Sequence, residues 1–271
     1  MLINYRIFVA CCFVWLLTAC SSSGTPGDAF SPGSNPDAAV GGLWIGTGTN
    51  DLEPLLVIGI LGIVAEDGRA QYFKIDTNTG RPDFTDDGVQ FAGVIASTEN
   101  TISSNIRIYA PVGTTFANGE TVADGTLTGG ITERDSINGA WTAESGDTGE
   151  FSQLFDTLYN RNSSLSITQD TTWTGTSSVG GVLALSISAT GTIFAGVDNN
   201  FCAYTSAADD GVNIIDPEFN VYEININITN CGPLNSSYSG LGFISDGNLA
   251  DDTFTISVTD NDTAILIEVT R

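Results

Sequence analysis

Histidine is absent from all 271 residues, so any chemistry in this chain falls to carboxylates and cysteines. Without an imidazole there is no Ser-His-Asp triad, no Cys-His pair and none of the commonest zinc or haem ligands. Two carboxylates flanking a glycosidic bond could still act as acid and base. Glu66-Asp67 and Asp209-Asp210 are the candidates, but both fall at hairpin turns, where acids are ordinarily solvated. The expectation is a chain with no catalytic residue. Calcium is the other chemistry open to oxygen ligands. The run Asp76-Thr77-Asn78-Thr79-Gly80-Arg81-Pro82-Asp83, followed by Asp86-Asp87-Gly88, makes Asp76, Asn78, Asp83, Asp86 and Asp87 a candidate calcium loop. It is not an EF-hand, because Arg81 stands where that loop needs glycine and no helical pattern flanks it. A solvated acidic loop is the competing reading, and no other cofactor is expected.

The five cysteines divide by position. Met1–Arg6 is a short basic start, and Ile7–Leu17 is an apolar run of 11 residues holding Cys11 and Cys12. This is the layout of a secretory signal, too short to cross a hydrocarbon core of about 30 Å as a helix. Leu17-Thr18-Ala19-Cys20 follows, then Ser21-Ser22-Ser23. These residues resemble the lipobox of bacterial lipoproteins. The resemblance implies a diacylglyceryl group on the Cys20 thiol, cleavage before it and an acylated new N-terminus. Ser21, rather than Asp, implies sorting to the outer membrane, facing either the periplasm or the cell surface. The expected organisation is a signal peptide over 1–19 and a lipidated tether over 20–40, Ser/Gly/Pro/Asp-rich and without periodicity. Cys202 and Cys231 remain in an oxidising compartment, where one disulfide is the natural reading. Two free thiols or a metal pair are the alternatives.

The chain carries a net charge of −24, which becomes −25 once Arg6 leaves with the signal. No basic surface is available for a phosphate backbone, so nucleic acid is excluded as a partner. An anionic membrane would also repel such a chain, leaving attachment to the lipid. Asp outnumbers Glu 22 to 10 and there are 31 glycines, a composition of turns rather than helices.

From Gly41 onward the apolar pattern has period two. Ile106 and Ile108 alternate with Arg107 and Tyr109, Tyr222, Ile224, Ile226 and Ile228 with Glu223, Asn225, Asn227 and Thr229, and Phe254, Ile256 and Val258 with Thr253, Thr255 and Ser257. Each reads as an antiparallel strand with one wet face. Leu55–Val64 is apolar throughout and reads as a strand covered on both sides. Asp67-Gly68, Asn138-Gly139 and Asp246-Gly247 are typical of the turns between strands. The fold class is all-β, an antiparallel meander.

Two halves show similar order. Trp44-Ile45-Gly46-Thr47 opens one and Trp173-Thr174-Gly175-Thr176 the other, and a Phe-led strand (Phe151, Phe254) lies near the end of each. The strand at Asn138–Ala143 finds no counterpart. The reading is two tandem β units, 41–160 and 165–271, each a small barrel or sandwich, with a junction at Asn160–Ser164. Gly42-Leu43-Trp44 and Gly139-Ala140-Trp141 also resemble the Gly-x-Trp that begins the lipocalin barrel, where the tryptophan closes one end. The whole layout is similar to β-rich surface lipoproteins of proteobacteria.

The function expected from the sequence is a non-enzymatic, lipid-anchored outer-membrane lipoprotein with a binding or envelope-structural role. Its partner would be a protein, a glycan or a small apolar ligand. The alternative is a lipocalin-like carrier of a small apolar ligand. Cells fed labelled palmitate should label the wild-type protein and not the Cys20→Ser variant. An unlabelled wild type would remove the basis for membrane attachment.

Overall fold

The computed structural model describes residues 37–50, 53–84, 89–116, 118–167, 172–207, 210–247 and 249–271, with backbone alone for 53–56. Cys20, the tether as far as residue 36, Asp86 and Asp87 lie outside them. The first half forms β1 (Gly42–Asn50), β2 (Glu53–Val64), β3 (Arg69–Ile75), β4 (Gln90–Val94), β5 (Ser97–Thr98), β6 (Thr101–Tyr109), β7 (Val122–Thr132), β8 (Ser136–Ala143) and β9 (Thr148–Asp156). The second forms β10 (Thr172–Ser177), β11 (Val182–Ile187), β12 (Ile193–Asp198), β13 (Ala203–Thr205), β14 (Val212–Ile214), β15 (Tyr222–Thr229), β16 (Ser236–Ser245), β17 (Thr253–Thr259) and β18 (Ala264–Thr270).

In each half consecutive strands pair antiparallel, except β4 with β5 and β13 with β14, and the first pairs with the last. A β4–β6 seam closes the first barrel and a β13–β15 seam the second. The short β5 and β14 pair alongside β6 and β15, so each unit is a closed barrel of eight strands, with no free edge among those eight.

The tandem repeat is therefore complete, and it corrects one sequence alignment. Phe151 stands on β9 while Phe254 stands on β17, the counterpart of β8, so Asn138–Ala143 does have a partner. Gly46 and Gly175 fix the correspondence. A Cβ at Gly46 would overlap the Ser152 carbonyl of β9, and one at Gly175 the Glu268 carbonyl of β18. Only glycine lets the first strand lie this close to the last.

Inward positions fill both barrels. Trp44, Ile60, Tyr72, Phe91, Ile106, Ile108, Leu127, Trp141 and Phe151 pack in the first. Trp173, Leu185, Tyr204, Tyr222, Ile224, Ile226, Phe254, Ile256 and Ile267 pack in the second. Trp44 sits at the barrel end where β1 begins, its Nε1 donating to the Val40 carbonyl at 3.1 Å. Trp141, by contrast, is on β8, so its Gly-x-Trp does not begin a barrel.

A third apolar cluster lies between the barrels. Leu43, Leu61, Ile63, Phe73 and Ile75 point outward from β1–β3 and meet Leu241 and Phe243 of β16 and Leu266 of β18. The apolar run of β2 is covered on both sides over its second half, where Ile60 and Val64 face its own barrel and Leu61 and Ile63 the other, whereas Val57 is exposed. The expected wet face of β17 is corrected here. Thr253, Thr255 and Ser257 are buried, because this face lies against the first barrel, where the Ser257 hydroxyl donates to Gln71 Oε1 at 3.2 Å.

The segment after β9, with single 3-10 turns at Thr157–Asn160 and Leu165–Ile167, fastens the contact. Tyr159 stacks on Phe219 at 4.8 Å and donates from its hydroxyl to Glu66 at 2.9 Å. Asn220 exchanges hydrogen bonds with Ile244, donating to its carbonyl at 2.6 Å and accepting from its N–H at 3.1 Å. Both barrels belong to one compact unit. Denaturant should accordingly unfold them in one transition, and Phe243→Ala should destabilise by about 3 kcal/mol. Two separated wild-type transitions would show that the shared cluster does not couple the barrels.

Candidate functional site

Beside the inter-barrel cluster the two walls part and leave a cleft of about 850 Å³. That is within the range of about 300–1,000 Å³ typical of small-ligand sites, which favour domain interfaces. The strand registers place its side chains. Gln71, Ala92, Arg107 and Asp124 form one cross-strand row over β3, β4, β6 and β7, and Asn105, Thr126 and Thr142 form another over β6–β8. Gly93, Gly125 and Gly240 line it with backbone alone, while Glu223, Ser239 and Thr259 make the opposite wall.

Two of the chain's eight cations stand here, each held by acids or carbonyls. Arg69 bridges the barrels, with Nη1 donating to Glu223 Oε1 at 2.5 Å and Nε to Asp67 at 2.8 Å. Its partial burial works to lower the guanidinium pKa, but the bonds to Glu223 and Asp67 outweigh that and raise it, so Arg69 stays charged. Arg107 lies 5.7 Å over the Tyr109 ring, donates from Nη2 to the Asn261 carbonyl at 2.7 Å and stands 3.8 Å from Asp124. Tyr109 in turn donates to the Asp260 carbonyl at 3.1 Å, and burial raises its pKa. At the deep end Ser257, Gln71 and Gln90 share a buried hydroxyl–amide contact. The result is an array of donors and acceptors in which Arg69 is paired with Glu223 and Asp67, Arg107 stands near Asp124, and acids outnumber cations.

The residues singled out in the sequence lie elsewhere. Asp76 Oδ1 accepts from the Asn78 backbone N–H at 2.7 Å and from Asn78 Nδ2 at 3.2 Å, the geometry of a side-chain-capped turn. Asp83 pairs with Lys74 at 3.0 Å. Between them Arg81 leaves the loop to bind Glu268 of the other barrel. Among the described residues no group of three or more acids or cysteines is arranged to hold a metal. Glu66 accepts from Tyr159 and stands 3.4 Å from Arg134, and Asp67 pairs with Arg69.

Cys202 and Cys231 form a disulfide with their Cα atoms 4.7 Å apart. They flank the β13–β15 seam, which holds only three residue pairs, Ala203–Thr229 to Thr205–Asn227. The bond therefore clips the closure of the second barrel.

The interior of the first barrel offers little room at its aromatic end. The apolar cavity between Ile60, Tyr72, Phe91, Leu127, Trp141, Phe151 and Gln153 measures about 20 Å³. That is space for roughly one water. The cleft, rather than an interior, was the feature invisible to sequence reading. Its cations were the available signal, since basic residues are rare enough here for two at one place to stand out.

No protein-family model matches the chain, and no curated protein matches it. Among solved structures it is similar to a "putative outer membrane protein" of Bacteroides fragilis NCTC 9343, at 15% identity over 86% of this chain and 98% of that one, with a TM-score of 0.29. A likeness at that score carries no argument about this chain.

Removal of the disulfide gives a direct check on the seam. Cys202→Ala with Cys231→Ala should cost about 3.6 kcal/mol in the chain-entropy picture for a loop of about 30 residues. Equilibrium denaturation reads it, and an unchanged midpoint would mean that the three-pair seam closes without help.

Proposed function

We propose that the mature chain is a non-enzymatic protein held at the outer membrane by a lipid on Cys20, and that it acts by binding a ligand in the cleft between its barrels. The observation that carries the binding half is the cleft itself, of ligand size and lined by both barrels. The anchoring half rests on Leu17-Thr18-Ala19-Cys20. It gains support from the polarity of the barrels. Their interiors are Ile, Leu, Val and aromatic, while outward positions of the first barrel include Thr101, Ser103, Thr128, Asn138 and Ser152, with Val57, Leu154, Val182, Phe194 and Val197 exposed singly on the two barrels. A membrane-spanning barrel carries the reverse, apolar outside and polar within. Attachment then needs a device outside the barrels, which the lipid would supply.

Support for the non-enzymatic reading comes from the lack of any histidine and from the engagement of Glu66, Asp67 and Glu223 in ion pairs. Filled interiors weigh against the lipocalin-like carrier, for which a cavity of about 20 Å³ is too small. Screening the purified protein, with Asp124→Asn and Glu144→Gln alongside, against glycosides and esters should give no turnover in any sample. Wild-type turnover abolished in a folded Glu144→Gln variant would make this an enzyme.

A further inference from the structure

The cleft's chemistry narrows what it can hold, granting the reading above that it is a ligand site. We propose that it receives a neutral oligosaccharide. Three classes of ligand are disfavoured by what lines it. An anion would meet Asp124, Glu144 and Glu223 against only Arg69 and Arg107, in a chain of net charge −24. It would also have to separate Arg69 from Glu223, which join at 2.5 Å. An apolar ligand would cover these charges without replacing the water bound to them, which is costly for ionised groups.

A peptide recognised through its backbone needs an unpaired strand edge to extend. None exists on these walls, because β3, β4, β6, β7 and β8 on one side and β15, β16 and β17 on the other are each paired along both flanks.

Sugar hydroxyls meet the remaining requirements. Each hydroxyl donates one hydrogen bond and accepts others, so adjacent hydroxyls can satisfy a carboxylate and a guanidinium standing side by side. The cross-strand rows present that alternation: Arg107 beside Asp124, then Asn105, Thr126 and Thr142, facing Glu223, Ser239 and Thr259. The Arg69–Glu223 pair and the Arg107 bond to the Asn261 carbonyl also hold both guanidinium groups in place before a ligand arrives, which lowers the ordering cost of binding. Backbone at Gly93, Gly125 and Gly240, with Ala92 and Val94, leaves low apolar ground on which the C–H face of a pyranose can lie.

The test is binding of the full-length protein in detergent to an array of neutral oligosaccharides (glucan, mannan and chitin fragments), of uronate-bearing ones and of basic and neutral peptides. Hits are followed by calorimetry at about 50 and 500 mM salt. A neutral glycan should bind, its affinity changing less than about threefold between the two salts because no net charge is neutralised. Thr142→Trp, which fills the cleft, should weaken binding at least tenfold, whereas Thr174→Trp on the outer face of β10 should leave it unchanged. Matching melting curves show that both variants fold.

Neutral-glycan binding that survives Thr142→Trp, binding of uronates alone, or an empty array overturns the proposal. Capture of a peptide alone, lost in Thr142→Trp, overturns the sugar class while leaving the cleft as a ligand site. A bound neutral glycan that is cleaved keeps the site and overturns the non-enzymatic reading instead.

Discussion

The contact between the outer faces of β1–β3 and β16–β18 governs the rest of this molecule. Closed barrels have no unpaired edges, so two of them can join only face to face, and a face must then give up its polar character. Leu43, Leu61, Ile63 and Phe73 do so on one side and Leu241, Phe243 and Leu266 on the other. The polar groups caught in the contact are nearly all matched: Ser257 to Gln71 and Gln90, Arg81 to Glu268, Asn220 to the Leu158 and Tyr159 carbonyls. Because two convex cylinders touch along a line, their surfaces must diverge on either side of it. The 850 Å³ cleft is that divergence, bridged at its margin by Arg69 and Glu223.

The repeat also shows how the same architecture tolerates different seams. In the first barrel four residue pairs join β4 to β6, Gln90–Tyr109 through Gly93–Ile106. In the second β13 offers only three, and Cys202–Cys231 is set beside them. Seams of this kind join strands separated by a further short strand, β5 or β14, so they carry more loop-closure cost than a tight hairpin. A covalent bond placed there acts where the barrel's own hydrogen bonding is thinnest.

Period-two patterning made the inward residues legible, as with Tyr222, Ile224, Ile226 and Ile228. The unbroken run ending at Val64 likewise announced a strand covered twice, as its second half is. The disulfide followed from two cysteines in a chain whose first residues read as an export signal. What patterning could not convey was the partner of an outward face. Thr253, Thr255 and Ser257 look like solvent residues because hydroxyls suit water and a hydrogen-bonded interface equally well. The same ambiguity put Phe254 opposite Phe151, since an alternating strand reads alike whether it stands eighth or ninth in its barrel. The acidic loop at Asp76–Asp83 attracted notice by composition, yet its groups serve a turn and an ion pair with Lys74. The cleft has no single contiguous motif, being assembled from runs of one to three residues on eight strands.

The shared face also bears on the history of the chain. Two barrels of matching topology in tandem are what duplication of one ancestral segment leaves behind. In the present chain each barrel depends on the other: deleting either half would strand Leu61, Ile63 and Phe73, or Leu241, Phe243 and Leu266, as a greasy surface and invite aggregation. The shared face thus works as a ratchet: the cleft and the loops can be retuned without touching it, but a single barrel cut from this chain would carry its apolar half into water.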